Sequence, residues 1–274
     1  MNSKLASLLS KASCFFSRFC KKESLFLIVG DKGVYMQYSE NNIIADTYFS
    51  PTDQIETDEN FKNFILKRPK VNVKIILNFK DIKLDHQSIS VFSGFNKSEP
   101  ILKYCSANFH KSDLFSYKPI SVTKENQDIW KYVISSTPLS DTIQRCLLYI
   151  SESRAILEGI YFYNFLVQDI CTKISEESKE NLQNIIYTTT SISSTSGISF
   201  SVNHGNDIIS SSSIDYPFDK SPEYIQGLIE QNISDIWIKY SAYSSQNNLK
   251  KYNIFIVPES LKNLLEKQYC GAEL

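Results

Sequence analysis

The feature that most constrains this chain is an order of elements that occurs twice. Residues 25–29 (Leu-Phe-Leu-Ile-Val) form a run suited to a buried strand, and Gly30-Asp31-Lys32-Gly33 suits a tight turn. Residues 34–39 read as a second strand, Asn41-Asn42 as a two-residue hairpin loop and 43–49 as a third strand. After Pro51, Phe61, Phe64 and Ile65 mark a short helix, and 71–79 is an apolar strand behind Pro69. The same order returns near the C-terminus. Strands are expected over 184–193, 198–203 and 208–216, with turns at Thr195-Ser196-Gly197 and His204-Gly205-Asn206. Ser221 then caps a long helix whose first position is Pro222, and Ile225, Leu228, Ile229, Ile233, Ile236, Trp237 and Tyr240 form its apolar stripe. A strand over 252–257 and a final helix over 261–268 complete the second copy.

Between the copies lies an insertion. Residues 100–109 read as helical, 114–122 as extended, and 129–135 as a strand running into Thr137-Pro138, a cap with proline at the first helical position. Ile143, Cys146, Leu147 and Ile150 stripe the helix that follows, and a second helix is expected over about 161–174, after Gly159. The polar stretch 175–180 joins the halves. The expected organisation is therefore an N-terminal segment 1–23, a first half 24–175 with a small subdomain inserted at about 80–128, and a second half 176–274.

Composition excludes several classes. A chain of 274 residues with 42% hydrophobic and 22% charged content is folded rather than disordered. Its net charge of −1 lacks the basic excess of nucleic-acid binders, so no nucleic-acid partner is expected. Six scattered cysteines without a C-x-x-C read as reduced thiols, which places the protein in the cytoplasm. No apolar run reaches the length of a spanning helix.

The N-terminus is distinct. Residues 1–22 carry Lys4, Lys11, Arg18, Lys21 and Lys22 and no acid, a charge of +5, so the remainder carries −6. Leu5, Leu8, Leu9, Ala12, Phe15, Phe16 and Phe19 recur at helical spacing. This is a basic amphipathic helix, able to lie in a membrane interface with its cations against anionic lipid, as a peripheral protein on the inner face of the plasma membrane would. Cys14 and Cys20 are candidate acylation sites. A cleaved presequence, a helix docked on its own domain and a frayed terminus are the competing readings.

A duplicated meander–helix–strand–helix unit with an inserted subdomain resembles the actin-like (ribonuclease H-like) α/β fold, with mixed sheets in each half. The order of elements over 25–270 is most similar to the actin-like platform proteins of type IV pilus assembly and the cytoplasmic domain of the type II secretion L protein. The resemblance is one of topology, carried by no single motif. It implies a bacterial assembly scaffold whose partners are other protein subunits of an envelope complex, and it leaves a homodimer open. Nucleotide-binding members have an Asp-and-Gly first phosphate turn, a second such turn and a Gly-Gly pair near the adenosine. Asp31, Lys32 and Gly33 partly fit the first. Residues 188–195 have hydroxyls but no acid, and Pro258-Glu259-Ser260 stands where the pair would fall. The resemblance thus implies a degenerate pseudo-ATPase without cofactor or catalysis; an actin-like ATPase or sugar-kinase-like enzyme using Asp31 is the alternative.

Other chemistry is sparse. His86, His110 and His204 stand far apart, without a ligand at i+3 or i+4, so no metal site is expected. Cys105 and His110 are near enough in sequence for a nucleophile–base pair, but no oxyanion signal accompanies them. The Ser/Thr-rich tract 188–213 reads as strands with one solvated face rather than as a phosphate site.

Overall fold

A computed structural model describes residues 23–41, 43–91, 98–124, 128–178, 181–217, 220–246 and 249–257. The expected helices over 1–22 and 261–268 lie outside these residues. Two compact units divide at Leu166/Val167.

The first unit begins with β1 (Glu23–Gly30), β2 (Gly33–Glu40) and β3 (Ile43–Pro51), followed by α1 (Glu59–Leu66) and β4 (Asn72–Leu77). Later come α3 (Asp141–Ser153) and β8 (Ile156–Phe162). Their five-stranded sheet has the order β3-β2-β1-β4-β8. The meander is antiparallel, whereas β1, β4 and β8 run parallel. Both central strands are buried on their two faces: Leu25, Leu27 and Val29 of β1 and Val73, Ile75 and Leu77 of β4 point one way, and Phe26, Lys74 and Ile76 between them are buried too. At the hairpin between β2 and β3, Asn41 takes a left-handed φ of 51°, a conformation that asparagine tolerates. Asp58 caps α1: its carboxylate accepts from the backbone N–H groups of Asn60 and Phe61 and from the hydroxyls of Tyr48 and Ser50.

Inserted in this unit is a three-stranded antiparallel sheet of order β5-β7-β6, made by β5 (Lys83–Val91), β6 (Asp113–Lys124) and β7 (Asp128–Pro138). Helix α2 (Ser98–Asn108) packs Ile101 and Cys105 against Tyr132 and Ile134.

The second unit repeats the meander. It contains β9 (Ile185–Ser193), β10 (Gly197–His204), β11 (Asp207–Ile214), α5 (Pro222–Gln246) and β12 (Lys250–Ile256), in a sheet of order β11-β10-β9-β12. Again the meander is antiparallel and the first and fourth strands, β9 and β12, run parallel. The order third-second-first-fourth is thus common to both units. The division at Leu166/Val167 falls within α4 (Tyr163–Ser178).

Four local expectations are corrected. Residues 156–162 form β8, so α4 starts at Tyr163; the Glu158-Gly159 interruption hides the strand, which pairs with β4 through a register shift at that point. β5 went unread because Lys83, Asp85, His86 and Gln87 dilute its apolar pattern on a sheet edge. Pro138 does not open a helix but ends β7; the cap of α3 is Ser140, whose hydroxyl accepts from the Ile143 N–H at 3.3 Å. Finally, the Ser/Thr tract has no solvated face along β9: Thr188, Thr189, Thr190 and Ser191 are all buried. Thr188 and Thr190 lie on the face where Ile198 and Phe200 pack against Ile225, Ile229 and Ile233 of α5. Thr189 meets Cys171 of α4 on the other, Oγ1 to Sγ 3.6 Å. A strand covered on both faces buries whatever side chains it carries.

Candidate functional site

In an open sheet with parallel strands, ligands bind beyond the carboxyl ends of those strands. In the first unit, Asp31 follows β1, Asn78 follows β4 and Asn164 follows β8. The backbone sets the first two side by side, because the Asn78 N–H donates to the Val29 carbonyl at 2.8 Å and the Lys80 N–H donates to Asp31 Oδ2 at 2.8 Å. The turn is braced from β3 as well: the Thr52 N–H donates to the Lys32 carbonyl at 3.0 Å, and the Thr52 hydroxyl to the Asp31 carbonyl at 2.9 Å. Asp31, Lys32 and Gly33 therefore sit together in the hairpin between β1 and β2, where the sequence places them. Gly33 has a reason inside the fold: a Cβ there would stand 2.3 Å from the Ser50 carbonyl oxygen.

Asn78 and Asn164 are contributions the sequence reading missed; the only signal was a polar residue one or two positions past an apolar strand. Asn164 is buried and engaged, with Nδ2 donating to Ser135 Oγ at 2.9 Å and Oδ1 accepting from the Phe165 N–H. Lys118 of β6 donates to the Phe165 carbonyl at 3.1 Å, so the inserted sheet holds the first turn of α4 from two strands. Asn78 is buried, and its Nδ2 finds no partner among the described residues. The set offers one carboxylate, already accepting a backbone N–H, and one unsatisfied amide. It contains no second carboxylate for paired acid–base work.

The corresponding hairpin of the second unit, between β9 and β10, is a hydroxyl turn. Thr195 N–H donates to Ser193 Oγ at 3.1 Å, and the Ser193 and Thr195 hydroxyls are 2.7 Å apart. Ser196 is buried, and its hydroxyl finds no partner among the described residues. Gly197 holds a left-handed φ of 92°, and a Cβ there would stand 2.4 Å from the Ile214 carbonyl oxygen. Each turn glycine thus admits a carbonyl at the end of its unit's third strand, Ser50 in one and Ile214 in the other.

Elsewhere the nucleophile candidates are separated from their bases. Cys105 lies in the core of the inserted sheet, where burial first, and the nearby Asp85 charge second, push its thiol up to about 11. His110 instead places Nδ1 2.6 Å from the Ser112 hydroxyl. Burial pushes the Cys146 and Cys171 thiols up to about 12. Such thiols are poor nucleophiles. His204 is engaged at both nitrogens, Nε2 at 2.8 Å from the Gln183 carbonyl oxygen and Nδ1 at 2.9 Å from the Tyr243 hydroxyl. Among the described residues, no group of three or more His, Cys, Asp or Glu could hold a metal ion.

No family model and no curated protein matches the chain. Solved structures do. The type IV pilus biogenesis complex PilM-PilN superposes with a TM-score of 0.57 at 9% identity, over 89% of this chain and 85% of that one. The chain has the actin-like fold. Two further neighbours cover the chain almost fully. One is a Bacteroides thetaiotaomicron protein of unknown function with an actin-like ATPase fold, at TM-score 0.41 and 13% identity over 91% of this chain and 89% of that one. The other is the cytoplasmic domain of EpsL, an inner-membrane component of the type II secretion system of Vibrio cholerae, at 0.40 and 9% over 92% and 96%. Among the described residues no helix is long and apolar enough to cross a membrane.

Proposed function

We propose that this actin-like protein is a non-catalytic scaffold that recruits protein subunits of an envelope assembly complex at the cytoplasmic face of the membrane. The observation that carries the reading is the pair of hairpin turns. In an actin-like nucleotide site both turns present backbone to phosphate. Here the first turn's carboxylate accepts the Lys80 N–H, each turn's glycine lies close against a carbonyl of its third strand, and the second turn holds hydroxyls without an acid. Likeness to a pilus biogenesis complex supports the assembly role. The basic segment 1–22, through Leu5, Leu8, Leu9, Phe15, Phe16, Phe19 and its five cations, supplies peripheral attachment to anionic lipid.

Two measurements test this. A nucleotide at 100 times its dissociation constant stabilises a protein by about 2.7 kcal/mol. Millimolar Mg²⁺-ATP is expected to leave the melting temperature unchanged, and a saturable rise that Asp31→Ala abolishes would replace the scaffold by an ATPase. Co-sedimentation of the full chain with vesicles containing phosphatidylserine should be lost when Phe15, Phe16 and Phe19 become Ser. Equal sedimentation of the two would remove the membrane role.

A further inference from the structure

Helix α5 carries a second face that is exposed among the described residues. Its buried residues Ile225, Ile229 and Ile233 pack on the sheet. On the opposite side of the wheel, Tyr224, Gly227, Gln231, Ser234, Ile238 and Ser241 recur at alternating spacings of three and four and are all exposed, Ile238 at 70% and Tyr224 at 54%. Among the described residues Gly227 has no packing neighbour, since a Cβ there would meet nothing within 4 Å. A glycine inside a helix costs about 1 kcal/mol relative to alanine, so its use points to a neighbour outside the described residues. Glu223 and Glu230 edge this face.

We infer that the occupant of this face is the chain's own segment 1–22, paired antiparallel with α5. Leu5, Leu8, Ala12, Phe15 and Phe19 follow the same alternation of three and four, and Lys4, Lys11 and Arg18 repeat every seven residues along one edge. Antiparallel alignment then sets Phe19 opposite Gly227, Ala12 opposite Ser234 and Leu8 opposite Ile238. A ring enters the notch of the glycine, and the basic edge runs along the one bearing Glu223 and Glu230. The acidic edge at Glu223 and Glu230 makes the basic segment its complement in charge. The inference rests on reading 1–22 as an amphipathic helix and adds regulation to it. The same apolar residues serve α5 or the membrane, so the docked state withholds the anchor.

The test uses the full chain with Cys14, Cys20 and Cys270 replaced by Ser. Ala12→Cys with Ser234→Cys should form an intramolecular disulfide on mild oxidation, and Leu8→Cys with Ser234→Cys, one turn out of register, should form far less. Equal yields, no bond, or only intermolecular bonds would overturn the docking, and a disulfide dimer from Ser234→Cys alone would assign the face to a second copy. Gly227→Leu, which fills the notch, should lower the Ala12–Ser234 yield and tighten apparent binding to phosphatidylserine vesicles about threefold or more, without lowering the melting temperature. Unchanged yield and unchanged binding would also overturn it. If no variant binds vesicles yet the in-register disulfide forms, the docking stands and the membrane role fails.

Discussion

The two units reach one strand order with different interiors. In the first sheet, β1 and β4 bury Leu25, Leu27, Val73, Ile75 and Leu77. In the second, the equivalent central strand β9 buries four consecutive hydroxyl residues, Thr188 to Ser191, and the hydroxyls of Thr188 and Thr190 have no partner among the described residues. What the units share is the hairpin glycine that admits the third strand. Topology here follows from turns and register, while the side chains of the central strand set how stable each copy is.

The largest effects should come from what the units share. Gly33→Ala and Gly197→Ala each force a Cβ to within 2.3 or 2.4 Å of a backbone oxygen. Each is expected to destabilise its unit by about 2–4 kcal/mol, read by urea unfolding. A tolerated substitution at one position would break the equivalence of the two hairpins. Truncation in the cores reaches the same size. Leu27→Ala should lower stability by about 2–5 kcal/mol through the cavity it leaves. Thr190→Val, of nearly the same shape, should instead raise it by about 1 kcal/mol, because it removes an unpaired buried hydroxyl. A Thr190→Val variant that melts lower would show that the hydroxyl is paired.

Helix caps sharpen the contrast. Burial raises the Asp58 carboxyl, but hydrogen bonds from Ser50, the Phe61 backbone, Tyr48 and the Asn60 backbone outweigh it and hold the group below its ordinary value. A lowered folded pKa means that stabilisation is present above the unfolded value, about 3.9, and fades as pH falls through the folded one. The Ser221 cap of α5 accepts from the Tyr224 N–H and does not titrate in this range. Asp58→Asn should therefore weaken the first unit by about 1 kcal/mol at pH 7 and flatten its acid denaturation, followed by amide exchange in α1. An equal acid sensitivity in wild type and variant would sink this. The smallest effect belongs to Asp31→Ala, which removes one exposed acceptor for the Lys80 N–H and should cost below about 1 kcal/mol in thermal unfolding.

The sequence by itself determined the duplication. Its turns contain Gly30-Asp31-Lys32-Gly33, Asn41 and Gly197, and local backbone chemistry acts within a few residues, so each meander was legible, as were the Ser221-Pro222 helix start and the apolar faces of α1 and α5. Tertiary structure decided the rest, because it depends on neighbours distant in the chain. Ile156–Phe162 became a strand by pairing with β4, and Pro138 became a strand end because Asp113 pairs with it. Burial of Thr188–Ser191 follows from cover on both faces of β9, which no alternation of residues can report. The candidate site divides in the same way. Asp31, Lys32 and Gly33 were visible as a turn, but the adjacency of Asn78 and Lys80 to it exists only once β1 and β4 lie parallel, since 49 residues of chain separate Lys80 from the carboxylate that it caps.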